Sequence, residues 1–266
     1  MTFLGLLVIG GLVGLTTALF GFGGGFVTVP IVTVVDAGLG GDAIRVATAT
    51  SALVMLVNAG IATGATDRDV LARLRGSAPA LLLLAVGGAV GAAVSQRAPS
   101  ALVRWGFVVY VAATVADLLL RPGFFRPRGP RLVGGRGAGT GGVRTGLALP
   151  IGTVAAFLGV GGSVMTVPLM RRSGASMREA TSLANPLTLA IVAPAAALTL
   201  ATSGPAGHGD GLVGAVDVRC ALALLVGAVP VIVLLRRRPL PVPDVAHGWG
   251  YLALLVAAGA AVALTA

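Results

Sequence analysis

The chain has 266 residues, of which 56% are hydrophobic and 11% charged, and its mean hydropathy is +0.97. That balance excludes a soluble globular domain. The net charge of +10 does not signal nucleic-acid binding, because the 19 basic residues, all arginine, are scattered through loops between apolar segments and read as topology signals. The single cysteine, Cys220, is flanked by apolar residues. It excludes an intrachain disulfide and a thiolate metal site, and reads as a small buried side chain.

Apolar runs fall at 3–35, 46–66, 77–96, 101–120, 145–170, 180–202, 212–235 and 248–265. They approach or exceed the roughly 20 residues that span a hydrocarbon core as helix, and none alternates like a barrel strand. The first run has no basic region before it and no small-residue cleavage site after it, so it is expected to remain as a membrane segment. At about 33 residues it would be roughly 50 Å long as one helix, too long for an ordinary crossing. It carries GFGGGFVTVP from Gly21 to Pro30. Glycines open backbone angles closed to other residues, and proline removes a donor, so the run is predicted as a helix to Phe20, an unwound turn at 21–25 and a second helix from about Phe26.

The fifth run repeats the motif as GVGGSVMTVP, Gly159 to Pro168, at a constant offset of 138. The following helix repeats with a loop five residues shorter, so that Arg45, Ala47 and Thr48 fall on Arg178, Ala180 and Thr181. Between the copies, 121–144 is basic and rich in Gly and Pro, a linker. The chain therefore divides into repeats at 1–120 and 145–266 joined by that linker.

Arginine placement tests the direction of the repeats. If all eight runs cross, the loops carry nine arginines on one face and ten on the other. If the first and fifth runs enter and return, one face holds Arg68, Arg73, Arg75, the six between 121 and 144, Arg171, Arg172, Arg178 and Arg236 to Arg238. Only Arg45, Arg97, Arg104 and Arg219 lie opposite. The second arrangement satisfies the positive-inside rule and places both termini outside the cytoplasm. The expected fold is an all-α polytopic membrane protein of two inverted repeats, each a broken re-entrant-like helix followed by three spanning helices, a pattern of secondary transporters.

The paired motifs GLTTALFGFGGGFVTVPIV and GTVAAFLGVGGSVMTVPLM, each followed by a helix opening A-T-A-T-S or A-T-S, resemble the sulfite exporter TauE/SafE family over nearly the whole chain. The resemblance implies a bacterial inner-membrane permease for a small sulfur-containing anion such as sulfite or a sulfonate. The chain departs from the repeated pattern at Ser163, which stands where Gly25 does in the first copy, and at Asn185-Pro186.

The residues themselves fit an anion. Unwound turns at Gly21, Gly23, Gly24 and Gly25, and at Gly159, Gly161 and Gly162, would aim N–H groups from short helices into a region without bulk water. Thr28, Ser163 and Thr166 stand beside the turns, and Thr48, Thr50, Ser51, Thr181 and Ser182 at the opening of the next helices. Small residues also let helices pack closely, and that reading stays open. Arg45 and Arg178 either draw anions inward or anchor the interface by snorkelling. Glu179 is the leading carboxylate for proton coupling, although it lies at a helix start. Asp117 is expected to pair with Arg121, four residues on. Asn58 and Asn185 either bond across helices or touch substrate, and His247, Trp249 and Tyr251 read as an interfacial belt.

The glycine runs are not a dinucleotide fingerprint, since no strand precedes them, and no catalytic pair lies at membrane depth, so enzyme readings fail. No cofactor or metal is expected. The expected partners are the lipid bilayer and a small anion, moved by alternating access. A non-transporting membrane scaffold or assembly protein is the alternative, and it should bind no small anion.

Overall fold

The computed structural model describes residues 3–35, 43–125, 145–202, 212–213, 216–238 and 240–264. Most of the linker, 126–144, and the side chain of Arg45 lie outside the described residues. In the first half, α1 (Phe3–Phe20) and α2 (Gly25–Val35) are separated by the first glycine turn. They are followed by α3 (Ala43–Gly64), the short α4 (Arg68–Ala72), α5 (Ala78–Arg97) and α6 (Ser100–Leu120). In the second, α7 (Thr145–Phe157) and α8 (Ser163–Arg172) flank the other turn, and α9 (Met177–Thr202), α10 (Val218–Arg237) and α11 (Asp244–Leu264) follow. Among the described residues, α3, α5, α6, α9, α10 and α11 are long and apolar enough to cross a membrane, and the broken helices are not. The protein is an all-α polytopic membrane protein.

The seventh apolar run is shorter than predicted. Residues 212–213 (β1) and 216–217 (β2) form a two-residue antiparallel ladder, and α10 starts at Val218 because Asp217 Oδ1 accepts the Cys220 N–H at 2.9 Å as its N-cap. Cys220 is buried as expected. Trp249 is exposed, but Tyr251 and His247 are buried and do not belong to an interfacial belt. Tyr251 is wholly buried in an aromatic cluster with Phe20, Phe22 and Phe124, and His247 Nε2 donates to Leu19 O at 2.6 Å. Three aromatic neighbours give a ring more contact area in the core than a headgroup position would.

Each broken helix packs against a helix of the other half. Gly10 and Gly14 of α1 lie against the backbone of Leu224 and Ala228, so α1 and α10 run parallel. Gly152 of α7 lies against Leu84, and Gly91 against Thr153 and Phe157, so α7 and α5 also run parallel. Gly14 and Gly152 are separated by the same 138 residues as the turns. In each case a side chain would collide with backbone, so the close approach requires glycine.

The direction of these pairs follows from α9. Gly88 of α5 meets Ile191, and Gln96 at its end accepts from Thr202, so α5 runs with α9. Arg236 at the end of α10 donates to Ser182 near the start of α9, so α10 runs against it. Helices α1 and α7 therefore run in opposite directions through the bundle.

One end of the bundle gathers the arginine-bearing loops. Arg73 pairs with Glu179 at 2.7 Å, and Arg172 pairs with Asp117 at 2.6 Å alongside the expected but exposed Arg121 at 3.2 Å. Arg171, fully buried, donates to Phe124 O from Nε and Nη2, to Ala175 O from Nη1, and pairs with Asp244 at 2.7 Å. Asp244 Oδ1 in turn accepts the Met177 N–H. Every arm of this buried guanidinium is satisfied, which offsets the cost of taking its charge out of water. It ties the ends of α6 and α8 to the starts of α9 and α11.

Candidate functional site

The two turns adopt the backbone that their glycines permit. Gly21, Gly23 and Gly24 have φ of 72°, 63° and 93°, and Gly159 and Gly161 have 68° and 70°, all in the left-handed region. The match ends there. Gly162 has φ −80° and caps α8, and Gly25 is the first residue of α2, so neither takes a left-handed angle.

Helices α3 and α9 hold both turns between them, each turn gripped chiefly by the other half's helix at its outer residue. Gly21 lies against Thr181 O and Ala184, while Gly159 lies against Thr48. At the centre, Gly23 and Gly161 both face Met55 and Thr188. Gly24 then meets Asn58, and Gly162 meets Ile191. Thr48 and Thr181, Met55 and Thr188, and Asn58 and Ile191 are each 133 residues apart, the displacement that aligns the openings of α3 and α9. Ser51 joins the two motifs directly, its hydroxyl 3.3 Å from Gly25 O and 3.2 Å from Gly159 O.

Several polar groups at this crossing are buried without a hydrogen-bond partner among the described residues. They are the Thr188 hydroxyl, both amide atoms of Asn58, Asn185 Oδ1, and the hydroxyls of Ser163 and Thr166. Buried polar groups are ordinarily paired, and leaving one unpaired costs about 1–3 kcal/mol. Among the described residues, the nearest neighbours of these glycines are hydroxyl-bearing side chains, the Asn58 amide, Met55, other apolar side chains and backbone, with no ionised group.

Other predicted residues are engaged elsewhere. Thr28 donates to Gly24 O within its own helix at 2.9 Å. The Thr50 hydroxyl faces β2, accepting the Asp217 N–H at 2.9 Å, and so braces the start of α10 instead of a turn. Thr181 donates to Arg178 O at 3.2 Å, Ser182 accepts from Arg236 at 2.7 Å, and Asn185 Nδ2 donates to Thr181 O at 3.2 Å. Arg178 is exposed. Glu179 forms a reciprocal capping box with Ser176, accepting its N–H at 3.0 Å while its own N–H donates to Ser176 Oγ, and pairs with Arg73. Those partners fix Glu179 at the arginine-rich end.

Sequence reasoning missed Met55, Thr188 and Tyr251. The first two could have been found by extending the repeat alignment one more turn along α3 and α9. Tyr251 gave no such signal: its ring stacks on Phe22 at 5.0 Å and its hydroxyl donates to Ser163 O at 3.2 Å, bridging both motifs.

Cavities approach the crossing from both ends. At the arginine-poor end a cavity of about 170 Å³ reaches Thr48, Met55, Gly159 and Gly161. That is several times the roughly 30 Å³ share of one water molecule. At the arginine-rich end a cavity of about 360 Å³ is lined by Thr181, Ser182 and Arg236 and extends to Leu19, short of the first turn. Among the described residues no cluster of His, Cys, Asp or Glu could hold a metal.

A bundle of crossing helices with two opposed breaks, polar groups at its centre and a cavity at each end is the architecture of a membrane transporter. The sulfite exporter TauE/SafE family matches residues 6–262, and the chain belongs to that family, whose members are membrane transporters and not enzymes. No curated protein and no solved structure matches the chain.

The unequal glycines give a test of the turns. Gly24→Ala places a methyl in a left-handed conformation, costing about 1–2 kcal/mol, and drives it into Val13 and Asn58. Gly162→Ala keeps an ordinary φ and meets the movable end of Ile191. Thermal unfolding of the purified variants should show Gly24→Ala clearly less stable than Gly162→Ala; equal losses would mean that the turns do not differ in backbone demand.

Proposed function

We propose that this chain exports a small sulfur-containing anion, sulfite or a sulfonate, across the bacterial inner membrane by alternating access around the two glycine turns. One observation carries the reading: both turns face the same pair, Met55 and Thr188, amid buried polar groups that lack partners. An anion at that crossing would accept from the Thr188 hydroxyl, the Asn58 amide and the Ser163 and Thr166 hydroxyls. Neutral donors suit a carrier, because the ligand must be held and then released.

In this reading the repeats 1–120 and 145–266 are inverted copies joined by the linker 121–144, and the cavities at the two ends are the alternating routes to one site. The opposite directions of α1 and α7 and the 133-residue spacing of the contacting pairs support it. The arginine-rich end faces the cytoplasm, and both termini lie outside it. The description of the family as sulfite exporters supports the substrate class.

Two experiments bear on this proposal. Thr188→Val deletes a hydroxyl with no partner among the described residues at nearly constant volume, so the purified variant should melt at or above the wild-type temperature. Its sulfite-dependent stabilisation should need about tenfold more anion, since 1.4 kcal/mol is one decade. Thr28→Val, whose hydroxyl is spent on Gly24 O, should bind as wild type. Wild-type sulfite affinity in Thr188→Val would remove the crossing as the site.

For orientation, single cysteines at Arg75 and Ser173 in a Cys220→Ala background should both be shielded from an impermeant thiol reagent added outside intact cells. Labelling of either loop would contradict a cytoplasmic arginine-rich end.

A further inference from the structure

The arginine-rich cavity contains a guanidinium whose bonding is incomplete. Arg73, Arg121, Arg171 and Arg172 each have a carboxylate within 3.2 Å. Arg236 has no carboxylate among the described ion pairs. Its Nη1 donates to Ser182 Oγ at 2.7 Å, while Nε and Nη2 are shielded from solvent and have no partner among the described residues. The two unpartnered nitrogens are the side-on edge of the guanidinium, whose parallel N–H bonds match two oxygens on one central atom. Ser182 fixes the third nitrogen and with it the plane of the fork.

The surroundings suit a guest. Arg236 lines the roughly 360 Å³ cavity together with Arg178, Thr181 and Ser182. Of the two acids there, Glu179 is committed to Arg73 and Ser176, whereas Asp67 makes no ion pair among those described. A shielded cationic fork that no described carboxylate bonds is costly to bury; Asp67 acts on it only through space, and an oxyanion ligand would complete it.

We propose that Arg236, oriented by Ser182, is an oxyanion-docking site in the vestibule at the arginine-rich end, separate from the crossing, where the transported anion is first held through two of its oxygens. The site rests on the transport reading for its purpose, but its occupancy can be measured without flux. It selects sulfonates, sulfite and other multi-oxygen anions over halides, because two oxygens accept the parallel N–H bonds in line, whereas a single-atom anion takes both only through bent bonds. Lysine at the same position would supply charge without the fork.

The test uses the full chain in nanodiscs, with Cys220→Ala and an environment-sensitive fluorophore on Val242→Cys, which borders this cavity. Methanesulfonate, sulfate and chloride are titrated separately, and thermal unfolding confirms that each variant is folded. Half-saturation by methanesulfonate should come at a concentration about tenfold or more below that for chloride. Arg236→Lys should abolish that preference, Arg236→Gln should abolish the signal, and Asp67→Asn should leave it intact or strengthen it. A wild-type signal that fails to appear or ignores the choice of anion, or an Arg236→Lys protein that keeps the preference, overturns the proposal. Flux without an Arg236-dependent signal would sink this site alone, while an Arg236-dependent signal without flux would sink the transport reading and leave the site.

Discussion

A helix that breaks inside a membrane protein must find partners for its freed backbone groups, and everything else in this fold answers that demand. Two helices break here, at Gly21 to Gly24 and at Gly159 to Gly162. Each break rests on residues of α3 and α9, and Ser51 places one hydroxyl between the carbonyls of Gly25 and Gly159. Neither half can complete its own turn, since Gly21 needs Thr181 and Ala184 while Gly159 needs Thr48. The glycine contacts of α1 with α10 and of α7 with α5 repeat the exchange along the first arm of each broken helix. A change in how the halves fit is therefore felt at both turns.

The copies are alike in backbone and unlike in chemistry. Phe22 and Phe26 of the first motif stack at 5.0 Å and join Tyr251 and Phe107, whereas Val160 and Val164 occupy the matching places in the second. Asn58 faces the first turn, and Ile191 the second. Ser51 has Ala184 as its counterpart. The aromatic cluster fills the space between the first turn and the arginine-rich end, while the second turn borders the cavity from the other end. The second turn thus borders a cavity directly, whereas the cavity at the arginine-rich end stops short of the first turn.

Much of this was legible in the sequence because helix breaks and repeats are written in one dimension. Gly and Pro inside apolar runs marked both turns, and the arginine distribution separated the loops that the structure gathers at one end. The side-chain assignments fared less well. A threonine in a helix can bond back to its own carbonyls, so Thr28 spends its hydroxyl on Gly24 where sequence placed it on a ligand, and Thr50 turns toward Asp217. Tyr251 reads as interfacial by type and position, and only packing against Phe22 shows it to be core. Arg236 stood among three consecutive arginines, and nothing in that run distinguishes the one held by Ser182.

The central claim is that a small anion crosses the membrane through these turns, and flux under an imposed potential tests it most directly. A potential negative on the side of the anion favours exit of one negative charge by about 2.3 kcal/mol per 100 mV, or roughly a fortyfold gradient at 1.4 kcal/mol per decade. Glu179, the leading coupling carboxylate, is held by Arg73 and Ser176 at the arginine-rich end. In proteoliposomes at matched pH, sulfite efflux should depend on the protein and accelerate as the interior is made negative. No protein-dependent efflux at any potential would contradict the account.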